Sequence, residues 1–225
     1  MIFPSAAFLR HSALLAWVCL ALIMNADAAS DRTLFEFEAT TKPMPWQIVN
    51  DDVMGGVSTA RFQFGTNGVA VFSGVVSLEN NGGFASVRST HGRPNLDGCE
   101  AFVLRVRGDG WRYKFTARTD SAFDAPLYQA VFFTKRDTWE ELRLACKDFV
   151  PTFRGRVLTD VPPLDPERIV SVGFLISDKQ AGPFRLEIRS IQAGTALRRY
   201  TGGRISIIGG SEGRRSSPTP PTQDF

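Results

Sequence analysis

Histidine is almost missing from this chain: His11 and His91 are the 2 it has among 225 residues. His11 falls in an N-terminal leader described below, so a zinc site built on paired histidines is excluded, and a hydrolase triad would have to rest on His91. His91 lies in Ser89-Thr90-His91-Gly92-Arg93-Pro94 and reads as a solvated loop histidine. No Gly-x-x-x-x-Gly-Lys-Ser/Thr phosphate loop is present, which removes P-loop nucleotide chemistry. Nothing in the composition calls for a metal or a cofactor, and none is expected. Charge of one sign is also lacking. A formal net charge of +3 does not point to nucleic acid.

Long hydrophobic runs are missing as well. The single apolar block, 13–24, is shorter than the ~20 residues that span a bilayer. It follows Arg10 and His11 and precedes Ala26-Asp27-Ala28, the order of a signal peptide cut after Ala28. A mitochondrial presequence is the alternative, but such segments are amphipathic and rich in arginine and serine. Residues 1–28 are thus expected to be a signal peptide, giving a soluble periplasmic or secreted protein, with a mitochondrial location as the alternative. Residues 29–194 suit one domain, and 195–225, rich in Gly, Arg, Ser and Pro, are expected to be a disordered tail.

Cysteine is scarce, at 3 in the whole chain. Beyond the leader only Cys99 and Cys146 are left, an even number in an oxidising compartment. Either they pair as a disulfide or they are two buried thiols that never meet, and the sequence leaves both open.

What is abundant is alternation. Between Thr33 and Gly194 apolar residues recur at period two and no helical period is sustained, an all-β signal. Phe62 and Phe64 precede the turn cluster Gly65-Thr66-Asn67-Gly68, predicting a hairpin with 69–72. Phe102, Leu104 and Val106 share one face, Gly108-Asp109-Gly110 follows, and Trp111, Tyr113 and Phe115 share a face on the return, predicting a second hairpin. Further strands at 34–38, 75–78, 84–89, 127–134, 139–144, 169–176 and 184–191 bring the set to roughly ten, enough for two packed antiparallel sheets.

Paired carboxylates are the remaining route to catalysis, as in β-sandwich glycosidases. Glu36 and Glu38 share a strand face but read as its solvated side, and adjacent Asp51 and Asp52 read as turn residues. The densest unusual segment is 46–58, with Trp46, Asn50, Asp51, Asp52, Gly55, Gly56 and Ser58. Side-chain to backbone bonding by Asn and Asp, with two glycines free to take positive φ, predicts an ordered, tightly turned loop. Asn80, Asn81, Gly82 and Gly83 before Phe84 predict a second, and Arg88 follows on the next strand.

The blocks Val49-Asn50-Asp51-Asp52-Val53-Met54-Gly55-Gly56-Val57-Ser58 and Glu79-Asn80-Asn81-Gly82-Gly83-Phe84-Ala85-Ser86-Val87-Arg88 resemble the signature of the complex I intermediate-associated protein 30 family. Blocks 149–156 and 173–184 resemble its later motifs, so the likeness runs from about 33 to 194. The resemblance implies an all-β, galactose-binding-like jelly-roll β-sandwich and the role of an assembly factor or chaperone for respiratory complex I, NADH:ubiquinone oxidoreductase. It supplies no catalytic residues, and an export signal would separate this chain from that role.

On the second hairpin, Arg105, Arg107, Arg112 and Lys114 are expected to cluster opposite the apolar face, with Arg118 further on. They form either a basic face for an acidic partner or anionic polymer, or a solvated sheet with acidic neighbours; the near balance of charge favours the second. Among aromatics that could stack sugars, Trp111 and Tyr113 read as core, while Trp46 and Trp139 are less determined. The function expected is non-catalytic binding of another protein through loop 50–58, turn 80–84 and a sheet face. A lectin-like module binding a glycan of the cell envelope is the alternative.

Overall fold

Alternation in sequence becomes alternation of burial. In strand 112–118, Tyr113, Phe115 and Ala117 are fully buried, while Arg112, Lys114 and Arg118 keep part of their surface in solvent. The computed structural model describes residues 31–37, 45–65, 67–90, 94–122 and 125–195, with the backbone of 200–201 and 204–205. The expected leader, Glu38 and His91 lie outside these residues, as does the tail apart from Thr195 and a pairing of Tyr200–Thr201 with Arg204–Ile205.

The strands in chain order are β1 (Arg32–Glu36), β2 (Trp46–Ile48), β3 (Thr59–Phe64), β4 (Ala70–Val76), β5 (Ala85–Ser89), β6 (Ala101–Arg107) and β7 (Arg112–Arg118). They continue with β8 (Leu127–Phe133), β9 (Trp139–Ala145), β10 (Val150–Phe153), β11 (Arg156–Val157), β12 (Ser171–Ile176) and β13 (Gly182–Gly194). Sheet A runs β3-β4-β13-β6-β9, and sheet B runs β11-β10-β8-β7-β12-β5-β2. Long β13 takes β4 beside its first half and β1 beside its second on one edge, with β6 on the other. The fold is all-β, as expected.

Between the sheets lies the core. Phe72, Phe102, Leu104, Leu186, Ile188 and Ile191 come from sheet A and Tyr113, Phe115, Phe174 and Ile176 from sheet B. Phe102 meets Phe115 across the gap at 5.1 Å between ring centroids, and Phe115 meets Phe174 at 5.3 Å. Each such fully buried side chain contributes about 1.5–3 kcal/mol relative to exposure.

The hairpin expected at 65–68 is present, with β3 and β4 antiparallel. The one expected at 108–110 is not, because β6 pairs with β13 and β9 while β7 pairs with β12 and β8. Gly108-Asp109-Gly110 is a corner between sheets. Asp109 holds it, accepting from the Trp111 amide (3.1 Å), the Tyr113 hydroxyl (3.0 Å) and the Arg185 amide (2.6 Å). Two apolar faces that would share one side of a hairpin instead confront each other across the core, and alternation alone is the same in both cases. Burial, then the charge of Asp109, pushes the Tyr113 phenol upward.

The corner also splits the expected basic face. Arg105 and Arg107 belong to sheet A, and Arg112 and Lys114 to sheet B, so the four do not form one surface. Cys99 and Cys146 do meet, but as buried free thiols rather than a disulfide. The hydrogen bond from the Cys146 thiol draws the Cys99 thiol down.

Candidate functional site

Loop 50–58 and turn 79–84 are tied together by one carboxylate. Asp51 is fully buried, and its Oδ1 accepts the Ser58 amide at 2.9 Å. Its Oδ2 accepts the Ser58 hydroxyl and the amides of Gly83 (2.7 Å) and Phe84 (3.2 Å). Burial by itself would raise this carboxyl; the bonds from Ser58, Gly83 and Phe84 outweigh it and hold Asp51 below the usual carboxylate range. The glycines make room. A Cβ on Gly56 would lie 2.4 Å from Asp51 Cγ, and one on Gly82 2.6 Å from Asp51 Oδ2. Asn80 and Asn81 take the left-handed conformation, with φ of 54° and 59°.

Of the residues picked out in these loops, Asp51, Gly56, Ser58, Gly82 and Gly83 are therefore engaged in the staple itself. Asn50 is buried and donates to the Ser58 carbonyl at 3.4 Å, while Asp52 and Gly55 stand at the surface. Trp46 packs against Phe62 (4.8 Å) and Phe35 (5.3 Å), closing one end of the sandwich rather than offering a platform.

The staple carries Val53 and Met54, both well exposed, to the rim of a groove of about 480 Å³ on the outer side of sheet B. Register explains its floor. Arg88 on β5 pairs with Gly173 on β12, which pairs with Thr116 on β7, and that with Gln129 on β8. Ser171 on β12 pairs with Arg118 on β7. The strand between the two arginines thus presents only serine and glycine, and a Cβ on Gly173 would lie 2.2 Å from the Val87 carbonyl. Leu127, Leu175 and Phe84 add apolar walls.

At one end of the groove Lys114 reaches Asp178 at 2.8 Å and Arg112 reaches it at 3.0 Å. Burial works to raise the Asp178 carboxyl, but Lys114 and then Arg112 prevail and hold it low. Asp178 is the sole carboxylate among the described lining residues. Arg88 donates to Gln47 at 3.2 Å, and Arg118 to the backbone carbonyls of Asp120 and Ala122. Neither forms an ion pair among the described residues. Burial, followed by the charge of Arg88, pulls Arg118 below its ordinary value, with Asp120 acting in the opposite sense.

Arg88 was legible as a candidate from sequence; Thr116, Gln129, Ser171 and Leu175 were not. They are the outward members of alternating strands, and only the strand order shows that they share a face. Among the described residues, no three His, Cys, Asp or Glu side chains gather as a metal site would require, and no helix is long and apolar enough to cross a membrane.

The family model described as Complex I intermediate-associated protein 30 matches residues 35–188, which span β1 to β13 and include both stapled loops. The chain belongs to this family. Curated relatives carry the same name with a mitochondrial location. One from Mus musculus is 28% identical over 177 residues, covering 70% of this chain and 54% of the relative. Another, from Drosophila melanogaster, is 26% identical over 177 residues, covering 69% and 60%. A Neurospora crassa relative is 28% identical over 141 residues, covering 55% and 51%. The chain thus spans about half the length of the curated relatives it matches.

Among solved structures the chain resembles a family 11 carbohydrate-binding module of a cellulosomal cellulase of Clostridium thermocellum, with TM-score 0.55 and 12% identity over 75% of this chain and 97% of that one. The module in complex with a β-1,3-1,4-mixed-linked tetrasaccharide gives TM-score 0.55 at 12% identity, covering 75% and 98%. At that identity the likeness speaks to fold alone, and the fold is the galactose-binding-like β-sandwich expected of the family.

Proposed function

We propose that this family member is a non-catalytic binding protein that supports assembly of a multiprotein complex, holding a segment of a protein partner in the groove on sheet B. The observation that carries the reading is the groove itself: a single face where apolar walls, an exposed Val53-Met54 rim and Arg88 and Arg118, which form no ion pair among the described residues, converge. Loop 50–58 and turn 79–84 act through position, because the staple fixes the rim that the partner meets. The relatives are named for complex I intermediates and a mitochondrial location, which supports respiratory complex I as the assembly and mitochondria as the compartment, over export.

A photo-crosslinking side chain in place of Met54, in the native cell, tests this. Protein adducts are expected at Met54 and not at the control position Gln63 on sheet A. Adducts at Gln63 alone, or none at Met54, would refute it.

A glycan is the second reading, and the tetrasaccharide held by a module of similar fold favours it. Against it, neither Trp nor Tyr is among the described groove-lining residues. The aromatic members are Phe84 and Phe153, the latter under the Arg154 guanidinium at 5.3 Å. Sugar binding would be expected to use an exposed ring beside polar groups.

A further inference from the structure

Two guanidinium groups on one sheet face normally have acidic neighbours or diverge into solvent. Arg88 and Arg118 converge and form no ion pair among the described residues, although the charge of Asp120 is felt at Arg118. They line one groove from strands on either side of β12, at a place where β12 offers only Ser171 and Gly173. The result is a low floor between two positive walls. Their hydrogen bonds go to neutral oxygens, the Gln47 side chain and the backbone carbonyls of Asp120 and Ala122, and the charge of Asp120 offsets that of Arg118 only in part. The charge of Arg88 is also felt at Arg118, so the pair is held together against its own repulsion.

We propose that Arg88 and Arg118 form a carboxylate-binding well that takes an Asp or Glu side chain from an acidic, partly apolar peptide segment of the partner. The proposal rests on the groove being the protein-binding face. A carboxylate in the well would supply the missing counter-charge and accept charge-assisted bonds from both guanidiniums. Thr116 and Ser171 add hydroxyls to the floor, and Leu127, Leu175 and Met54 flank it, so residues on either side of the acid would be apolar. Lys114 is already engaged by Asp178 and contributes less. Peptide is favoured over anionic polysaccharide because the residues flanking the well are Leu127, Leu175 and Met54 and the described lining has no Trp or Tyr ring for a sugar to stack on.

The full chain can be probed on an array of 12-residue peptides that varies Glu content against isosteric Gln, with Leu and Phe at changing distances from the acid. Retained signal is expected to require at least one Glu next to an apolar residue, and to weaken as salt rises. Arg88→Gln with Arg118→Gln is expected to lose at least about tenfold in affinity. Its melting temperature should be equal or higher, which separates a binding loss from unfolding. Arg105→Gln on sheet A should bind as wild type does.

Binding indifferent to Glu versus Gln, or unchanged in the double variant, would overturn the well. So would oligogalacturonate binding in place of every acidic peptide, which would assign the arginines to a glycan. If Met54 crosslinks protein yet the double variant binds normally, the well fails and the groove reading stands. If Met54 crosslinks nothing, both fail.

Discussion

Both outer faces of the sandwich carry arginines, and they treat them differently. On sheet A, buried Glu187 accepts Arg107 Nε at 2.8 Å and an Arg185 guanidinium nitrogen at 2.8 Å. The guanidiniums of Arg107 and Arg189 both lie over the Trp139 ring, at 5.2 and 5.1 Å from its centroid. Cation, acid and ring form a closed set there. On sheet B, Arg88 and Arg118 stand over a low floor and form no ion pair among the described residues, with Asp120 acting on Arg118 at longer range. The same residue type is structural on one face and available on the other, so a basic residue's pairing says more about binding than its presence. Composition, near charge balance overall, hides the difference.

The largest test of this contrast removes the staple that shapes the sheet B face. Asp51→Ala leaves the Ser58 hydroxyl and the amides of Ser58, Gly83 and Phe84 without their acceptor. Unsatisfied buried donors cost about 1–3 kcal/mol each, and partial relaxation brings the expected total to roughly 3–5 kcal/mol. In a chain of this size that is a fall of roughly 6–20 °C in melting temperature. Hydrogen exchange should rise first at 77–84 and leave β6 and β13 protected; uniform loss would show that the two faces are not independent.

The next test makes sheet A resemble sheet B. Glu187→Gln keeps the shape but strips the counter-charge from Arg107 and Arg185. Arg107 is 39% exposed at its side chain and Arg185 59%, so solvent screening limits the expected loss to about 1–2 kcal/mol by denaturant melt. No gain of acidic-peptide binding should follow, because the groove with its apolar walls lies on sheet B. Such a gain would mean that unpaired charge alone suffices.

Acid titrates the same contacts. Asp51, Asp178 and Glu187 are all held below their ordinary values of 3.8, 3.8 and 4.5. Groups depressed in the folded state contribute stability that is complete above the unfolded values, and it is lost as pH falls through them toward the folded ones. Melting temperature should therefore be flat above about pH 5 and decline below about pH 4, with a shallower decline in Asp51→Asn. A decline that begins at neutral pH would point to other groups. The smallest expected effect is a gain: Arg118→Gln relieves repulsion from Arg88 and should stabilise the free protein by at most about 0.5 kcal/mol, less in high salt.

Much of the fold could be read from alternation, because Phe102, Leu104, Tyr113 and Phe115 must be buried whichever strands they join. Strand partners could not, since the corner at Asp109 and a hairpin produce the same periodicity. The stapled loops were visible as unusual chemistry, but their inward direction was not. Four hydrogen bonds converging on Asp51 come from two segments, Ser58 and Gly83-Phe84, and only Ser58 is near it in sequence. The groove was least legible. Arg88 and Arg118 are far apart in the chain and separated by β12 in space, so their shared floor exists only once the strand order is known.

Sheet A has one more consequence, concerning how the molecule is made. Arg32 pairs with Ala193, and β13 is the shared neighbour of β1, β4 and β6. A ribosome adding about 5–20 residues per second would deliver β13 roughly 10–30 s after β1, and until then β4 and β6 wait with open edges. Apart from the β3–β4 hairpin, the pairing in this sheet is non-local, the regime in which sandwiches fold in milliseconds to seconds rather than microseconds. During synthesis the nascent chain offers unpaired strands of the kind that invite edge-to-edge addition. The sheet thus stays half-built, with its inner strands open to addition, until the last long strand arrives.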